Sequence, residues 1–131
     1  MTAEAAIINT DTHSDIGARL SAIRQRIAAA CARAGRDASE VTLVGVTKTV
    51  EAARVRAAID AGLGALGENR VQEAEGKMAP LADLRDQVQW HLIGHLQSNK
   101  ARRAVTLFDV VQTIDSVELA ARLDRIAAEA G

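Results

Sequence analysis

The spacing of apolar residues changes several times along the chain, and each change marks an element. Ile16, Leu20, Ile23, Ile27 and Cys31 recur at intervals of three and four. That single stripe predicts a helix from about Ser14 to Arg33, with Arg19, Arg24 and Arg26 turned to solvent and Gly35 as its stop. After a short polar connection, Val41-Thr42-Leu43-Val44-Gly45-Val46 is nearly continuous in apolar, β-branched residues and reads as a buried strand ending at Thr47-Lys48. Helical spacing returns over Glu51 to Ala61, closed by Gly62, and a strand follows at Leu63–Leu66. The next helix runs from Arg70 or Val71 to about Met78, where Pro80 interrupts it, with a further helical turn over Leu81 to Asp86. Gln89 to Ile93 is the third strand, Asn99 to about Leu107 a short basic helix, and Asp109–Gln112 with Thr113 and Ile114 the fourth strand. Ser116 caps a last helix through Glu129, without the glutamate that completes a capping box.

One helix followed by four strand-then-helix units argues for an α/β fold with a parallel sheet and right-handed crossovers. Four such units are half of a (β/α)8 barrel, and a four-stranded open sheet is the structural alternative. Residues 1–13 show no periodicity and read as a flexible lead-in, leaving 14–131 as the domain. In a parallel sheet the strand ends share one rim. Four ends offer Lys48; Glu68 and Asn69; His95 with Gln97, Ser98 and Asn99; and Asp115 with Ser116.

Composition narrows the function classes. With 131 residues the chain is too short for a complete barrel, which takes about 250. The net charge of −1 gives no reason to expect nucleic acid or an anionic membrane as partner, and with Trp90 and Phe108 as the only aromatics there is no base-stacking platform. Cys31, the single cysteine, can form no internal disulfide and reads as a small packed thiol in a reducing compartment. No apolar run approaches the roughly 20 residues of a membrane span, and the N-terminus lacks the pattern of a secretion signal, so a cytoplasmic protein is expected.

Among the rim groups Lys48 has the most distinctive chemistry. An amine at an apolar strand end loses hydration, and the neutral amine can attack a carbonyl. Taken alone, though, Lys48 reads first as the opening residue of a polar loop after a strand. Asn69 and Asn99 double as turn or cap residues, His91 inside the third strand reads as a hydrogen-bonded core histidine, and Asp115-Ser116 reads as a helix start. His13, His91 and His95 do not make a metal-ligand spacing, and the glycines form neither a dinucleotide nor a P-loop signature. Lys100, Arg102 and Arg103 form a basic patch that reads as a solvated helix face.

Three stretches together resemble a known family. Leu43-Val44-Gly45-Val46-Thr47-Lys48, then Gly67-Glu68-Asn69-Arg70-Val71-Gln72-Glu73, then Trp90-His91-Leu92-Ile93-Gly94-His95-Leu96-Gln97-Ser98-Asn99-Lys100 resemble the pyridoxal phosphate homeostasis proteins, from Ile16 onward. The resemblance implies a fold-type III (β/α)8 TIM barrel like the N-terminal domain of alanine racemase, of which this chain carries the first half. It implies pyridoxal 5′-phosphate held as a Schiff base on Lys48, with Asn69 and His95 beside the cofactor ring, in a non-enzymatic protein of vitamin B6 balance. A racemase-like enzyme and a fragment unable to bind the cofactor tightly are the alternatives; the sequence has no tyrosine to serve as a racemase's second acid–base group. Relative to the family the phosphate cradle is expected in a half that this sequence lacks, and the exposed edges of a half barrel imply self-association.

Overall fold

The computed structural model describes residues 12–131. Helix α1 spans Thr12–Ala34, and the four units follow: β1 (Gly45–Val46) and α2 (Ala52–Asp60), β2 (Ala65–Glu68) and α3 (Val71–Met78), β3 (Gln89–Leu92) and α4 (Ala101–Leu107), β4 (Val110–Val111) and α5 (Val117–Ala130). The strands lie in the order β1-β2-β3-β4 and every pairing is parallel, as the alternation of elements predicts.

Register decides which side chains are buried. Leu66 pairs with Trp90 and Glu68 with Leu92, while Val46, Gly67, His91 and Val110 stand in one row across all four strands. Successive residues point to opposite faces, so Leu66, Glu68, Trp90 and Leu92 share one face and the row through His91 the other. The first face is the core: Leu66, Trp90 and Leu92 are almost fully buried in one cluster with Val55 and Ile59 of α2, Ala74 of α3, Ala101 and Ala104 of α4, and Leu119, Leu123 and Ile126 of α5. Alanines with no exposed surface on α3 and α4 let those helices come close to the sheet, which suits a core with so few rings.

Helix ends follow the local signals. Gly35 and Gly62 have φ of 68° and 105°, which an L side chain rarely adopts, and each closes its helix as expected. At Gly62 the closure uses two bonds, from Gly62 N–H to Ile59 O (2.9 Å) and from Leu63 N–H to Ala58 O (3.0 Å). Ser116 Oγ accepts the Leu119 N–H at 3.1 Å and starts α5. Cys31 is buried, a packed thiol.

Several boundaries need correction. Helix α1 begins at Thr12, two residues before the expected Ser14; the remainder of the expected lead-in lies outside the described residues. The second strand starts at Ala65 rather than Leu63 because the Leu63 amide is committed to closing α2. The helical turn expected at Leu81–Asp86 is a 3-10 turn at Ala82–Gln87. The fourth strand is only Val110–Val111, although the Asp109 and Gln112 amides extend its hydrogen bonding to Trp90 O and Leu92 O. The largest difference is in the first strand. The run Val41–Val46, expected to be buried, contributes only Gly45–Val46 to the sheet, and Val46 is 53% exposed. It is an edge strand with a single neighbour, and Val46 lies on the face opposite the helical core.

Asp109 ties the entrance of β4 to that of β3. Its carboxylate accepts two bonds from Arg85, at 2.9 and 3.0 Å, and one from the Trp90 N–H at 2.8 Å. Burial opposes its charge, but the Arg85 guanidinium and the Trp90 amide prevail and hold the carboxyl below its ordinary value. The stability this contributes is therefore complete above the unfolded-state value near pH 4 and is lost as pH falls through the lower folded-state value. Asp109→Asn is expected to cost about 1 kcal/mol at pH 7, a low figure because both partners are partly solvated. Urea denaturation of the two proteins from pH 7 to pH 3 checks this: the gap should narrow with acid, and a constant gap would contradict it.

Candidate functional site

The parallel sheet brings the expected residues to one rim. Lys48 follows β1 by two residues, Asn69 follows β2 immediately, and His95 follows β3 by three. Extending the Val46–Gly67 register sets Lys48 level with Asn69 on the adjacent strand.

Gly94 fixes the relation between Asn69 and His95. A β-carbon there would lie 2.8 Å from Asn69 Cα and closer still to its carbonyl oxygen, so only glycine lets β3 leave the sheet across the Asn69 backbone. The Ile93 N–H donates to Glu68 O at 2.9 Å, and the Thr113 hydroxyl donates to Gly94 O, holding this crossing from both sides. The result is a cleft of about 410 Å³ between the β2–α3 and β3–α4 connections, with Asn69, Arg70, Gln72, His95, Gln97 and Lys100 as its polar lining. That volume lies in the small-molecule range of about 300–1,000 Å³. A hollow of about 460 Å³ along α1 gathers no rim residue and is lined by that helix alone.

His95 is exposed, and its Nδ1 lies 3.2 Å from Asp115 Oδ2, so one pair joins the ends of β3 and β4. Lys48 stands beside the cleft rather than in its lining. Its side chain is exposed, which corrects the expectation of a desolvated amine and follows from its place after an edge strand. Among the described residues its amine makes no hydrogen bond or ion pair.

Below the Lys48 turn lies a buried polar cluster. Glu68 is fully buried; its Oε2 accepts from the Thr47 hydroxyl and from Lys77 Nζ at 2.9 Å. Lys77 Nζ also donates to the Thr47 carbonyl and lies 3.0 Å from Glu73 Oε2. Glu73 in turn accepts the Thr49 N–H, and this amide, followed by Lys77, holds its carboxyl below the ordinary value. The sequence around Lys77 does not single it out. The signal present there is the Glu73–Lys77 spacing of four on one helix, and nothing local points to Glu68 as the third member.

The remaining polar groups serve the fold. His91 is buried and hydrogen-bonded, with its Nδ1 2.8 Å from Gln112 Nε2, but it lies on the sheet face opposite the helical core and not in the core as expected. In the basic patch, Arg102 pairs with Glu129 and Arg103 with Glu75, so these side chains fasten neighbouring helices. Among the described residues no three His, Cys, Asp or Glu side chains converge as a metal site, and no helix is long and apolar enough to cross a membrane.

Gly94→Ala is expected to push the Asn69 backbone aside and to destabilise the fold by about 1–3 kcal/mol. Denaturation together with amide chemical shifts checks this; unchanged shifts at Asn69 and His95 would contradict the close crossing.

Comparison with known proteins places this architecture. Residues 18–131 match the alanine racemase N-terminal domain model. The chain is similar to the pyridoxal phosphate homeostasis protein of Escherichia coli K12, 43% identical over 112 residues, covering 85% of this chain and 48% of that protein. Two solved structures of PipY from Synechococcus elongatus superpose on it, each covering 88% of this chain. Without pyridoxal phosphate the TM-score is 0.77 at 46% identity and 48% of PipY is covered; with it bound they are 0.74, 47% and 49%. The chain spans about half the length of the curated relatives it matches.

Proposed function

Since the chain belongs to the family of alanine racemase N-terminal domains, we propose that it binds pyridoxal 5′-phosphate as part of cellular vitamin B6 balance, with Lys48 as the point of attachment. The observation that carries this reading is the rim itself: an amine without a partner among the described residues stands level with Asn69, and Asn69 shares a cleft with His95. Support comes from PipY, 47% identical and solved with the cofactor bound, and from the name of the Escherichia coli relative.

The residues present fit the group. Bound pyridoxal phosphate supplies an aldehyde carbon that a lysine amine can engage as a Schiff base, and a ring that draws electrons. Lys48 provides the amine, exposed and unpaired among the described residues. The Asn69 amide offers both donor and acceptor to a ring oxygen, and His95 closes the other side of the cleft. Arg70 and Lys100 give the cleft a cationic side suited to an anionic ligand. The reading is of binding without turnover, in the cytoplasm. The exposed Val46 and the single-neighbour edges β1 and β4 favour a second copy of this chain as a partner.

Lys48, Lys77 and Lys100 are the only lysines, so peptide mapping has to separate just these three and the terminal α-amine. After incubation with pyridoxal phosphate, borohydride reduction and peptide mapping, the label is expected on Lys48 and lost in Lys48→Ala. Lys77 is occupied by its buried partners, whereas Lys100 lies in the cleft. A label mainly on Lys100, or none, would overturn the assignment. Light scattering of the purified chain should show a dimer or larger species; a strict monomer at working concentration would contradict the pairing of copies.

A further inference from the structure

The backbone on both sides of the proposed attachment residue is held. The Thr47 N–H donates to Gly67 O and the Val50 N–H to Thr47 O, at 2.9 and 3.0 Å, and the side-chain contacts to the flanking residues come from the polar cluster beneath. On the N-terminal side the Thr47 carbonyl accepts from Lys77 Nζ and the Thr47 hydroxyl donates to Glu68. On the C-terminal side the Thr49 N–H donates to Glu73. Thr49 has φ of 62°, the only non-glycine residue with positive φ among those described, and a threonine in that region is held only where its surroundings impose it. The amide bonded to Glu73 belongs to the strained residue itself. An ammonium has three hydrogens, and Lys77 directs them to the Thr47 carbonyl, Glu68 and Glu73, leaving none for water.

We propose that Glu68, Glu73 and Lys77 are positioning residues for Lys48: a clamp built on β2 and α3 that fixes the backbone before and after it, so that its side chain leaves the rim beside Asn69. This assignment rests on the reading of Lys48 as the cofactor lysine. The three charged residues touch the turn without entering the cleft that Asn69 and His95 line. Glu73 and Lys77 are one turn apart on α3, so a single helix reaches both flanks of Lys48, and Glu68 connects that helix to the strand beside β1. A purely packing role would require no contact with Thr49, which is exposed and belongs to no helix or strand.

Two readouts separate the clamp from the cofactor assignment. The first needs no cofactor: amide exchange at Thr49, followed by NMR in the full 131-residue chain. Because Thr49 lies outside regular structure, its amide is expected to exchange slowly only through Glu73, at least about tenfold slower than an unprotected amide. Glu73→Ala should remove that protection while the Leu66 and Leu92 amides keep theirs, and Glu73→Gln, which retains an acceptor oxygen, should restore most of it. The second readout is the rate of borohydride-trapped labelling of Lys48 by pyridoxal phosphate, expected to fall about tenfold in Glu73→Ala and to recover in Glu73→Gln. An unprotected Thr49 amide in the unmodified chain overturns the clamp, even if Glu73→Ala proves unable to fold. Loss of Thr49 protection with an unchanged labelling rate overturns the positioning role. Failure to label Lys48 in the unmodified chain overturns the cofactor reading, and the Thr49 exchange rate then decides the clamp by itself.

Discussion

The ion pair between Glu68 and Lys77 is the constraint on which the rim depends. Glu68 is fully buried and the Lys77 side chain is 10% exposed, so neither charge can turn to water instead. Such a pair adds little over well-packed apolar residues, but loss of one partner strands the other and costs about 3–5 kcal/mol. The gain is geometric. Because Lys77 must find Glu68, α3 has one position against β2; because its remaining hydrogens reach Thr47 and Glu73, the end of β1 has one position against α3. The edge strand, with only two residues in the ladder, is thereby located by side chains as much as by sheet bonding.

The two ends of the sheet have different tasks. At the strand entrances, Arg85 and the Trp90 amide converge on Asp109 and join β3 to β4. At the exits, the backbone crossing at Gly94 and the pairing of His95 with Asp115 bring three loops together while leaving a cleft open between them. Alanines facing the sheet on α3 and α4 make this compactness available to a core with one tryptophan and one phenylalanine. Parallel topology explains why the division exists: every exit lies on the same side, so residues distant in sequence become neighbours without any long loop.

How much can be read from the sequence follows the range of the forces involved. Element order, the stops at Gly35 and Gly62, the cap at Ser116, the packed Cys31 and the buried, hydrogen-bonded state of His91 are local signals, and the structure bears them out. The three rim residues can be named because strand ends and motif order locate them. What is not legible is tertiary. The start of β2 depends on the Leu63 amide being used by α2, which no strand propensity reports. An apolar run looks buried, yet Val46 is exposed because its strand lies at an edge. A helical lysine such as Lys77 reads as a surface residue until its partner arrives from another element, and the pairing of His95 with Asp115, both of which stay exposed, likewise joins two loops that nothing local connects.

Titration of the uniformly ¹⁵N-labelled chain with pyridoxal phosphate, read by amide chemical shifts, tests most directly whether the rim acts as one site. Amides of the Lys48 turn, of Asn69 to Gln72 and of Gly94 to Gln97 should move together, saturating along a single binding curve, while those around Asp109 at the opposite end remain still. Shifts confined to the α1 surface, or to the Lys100 side of the cleft without the Lys48 turn, would contradict a shared site built from three strand ends.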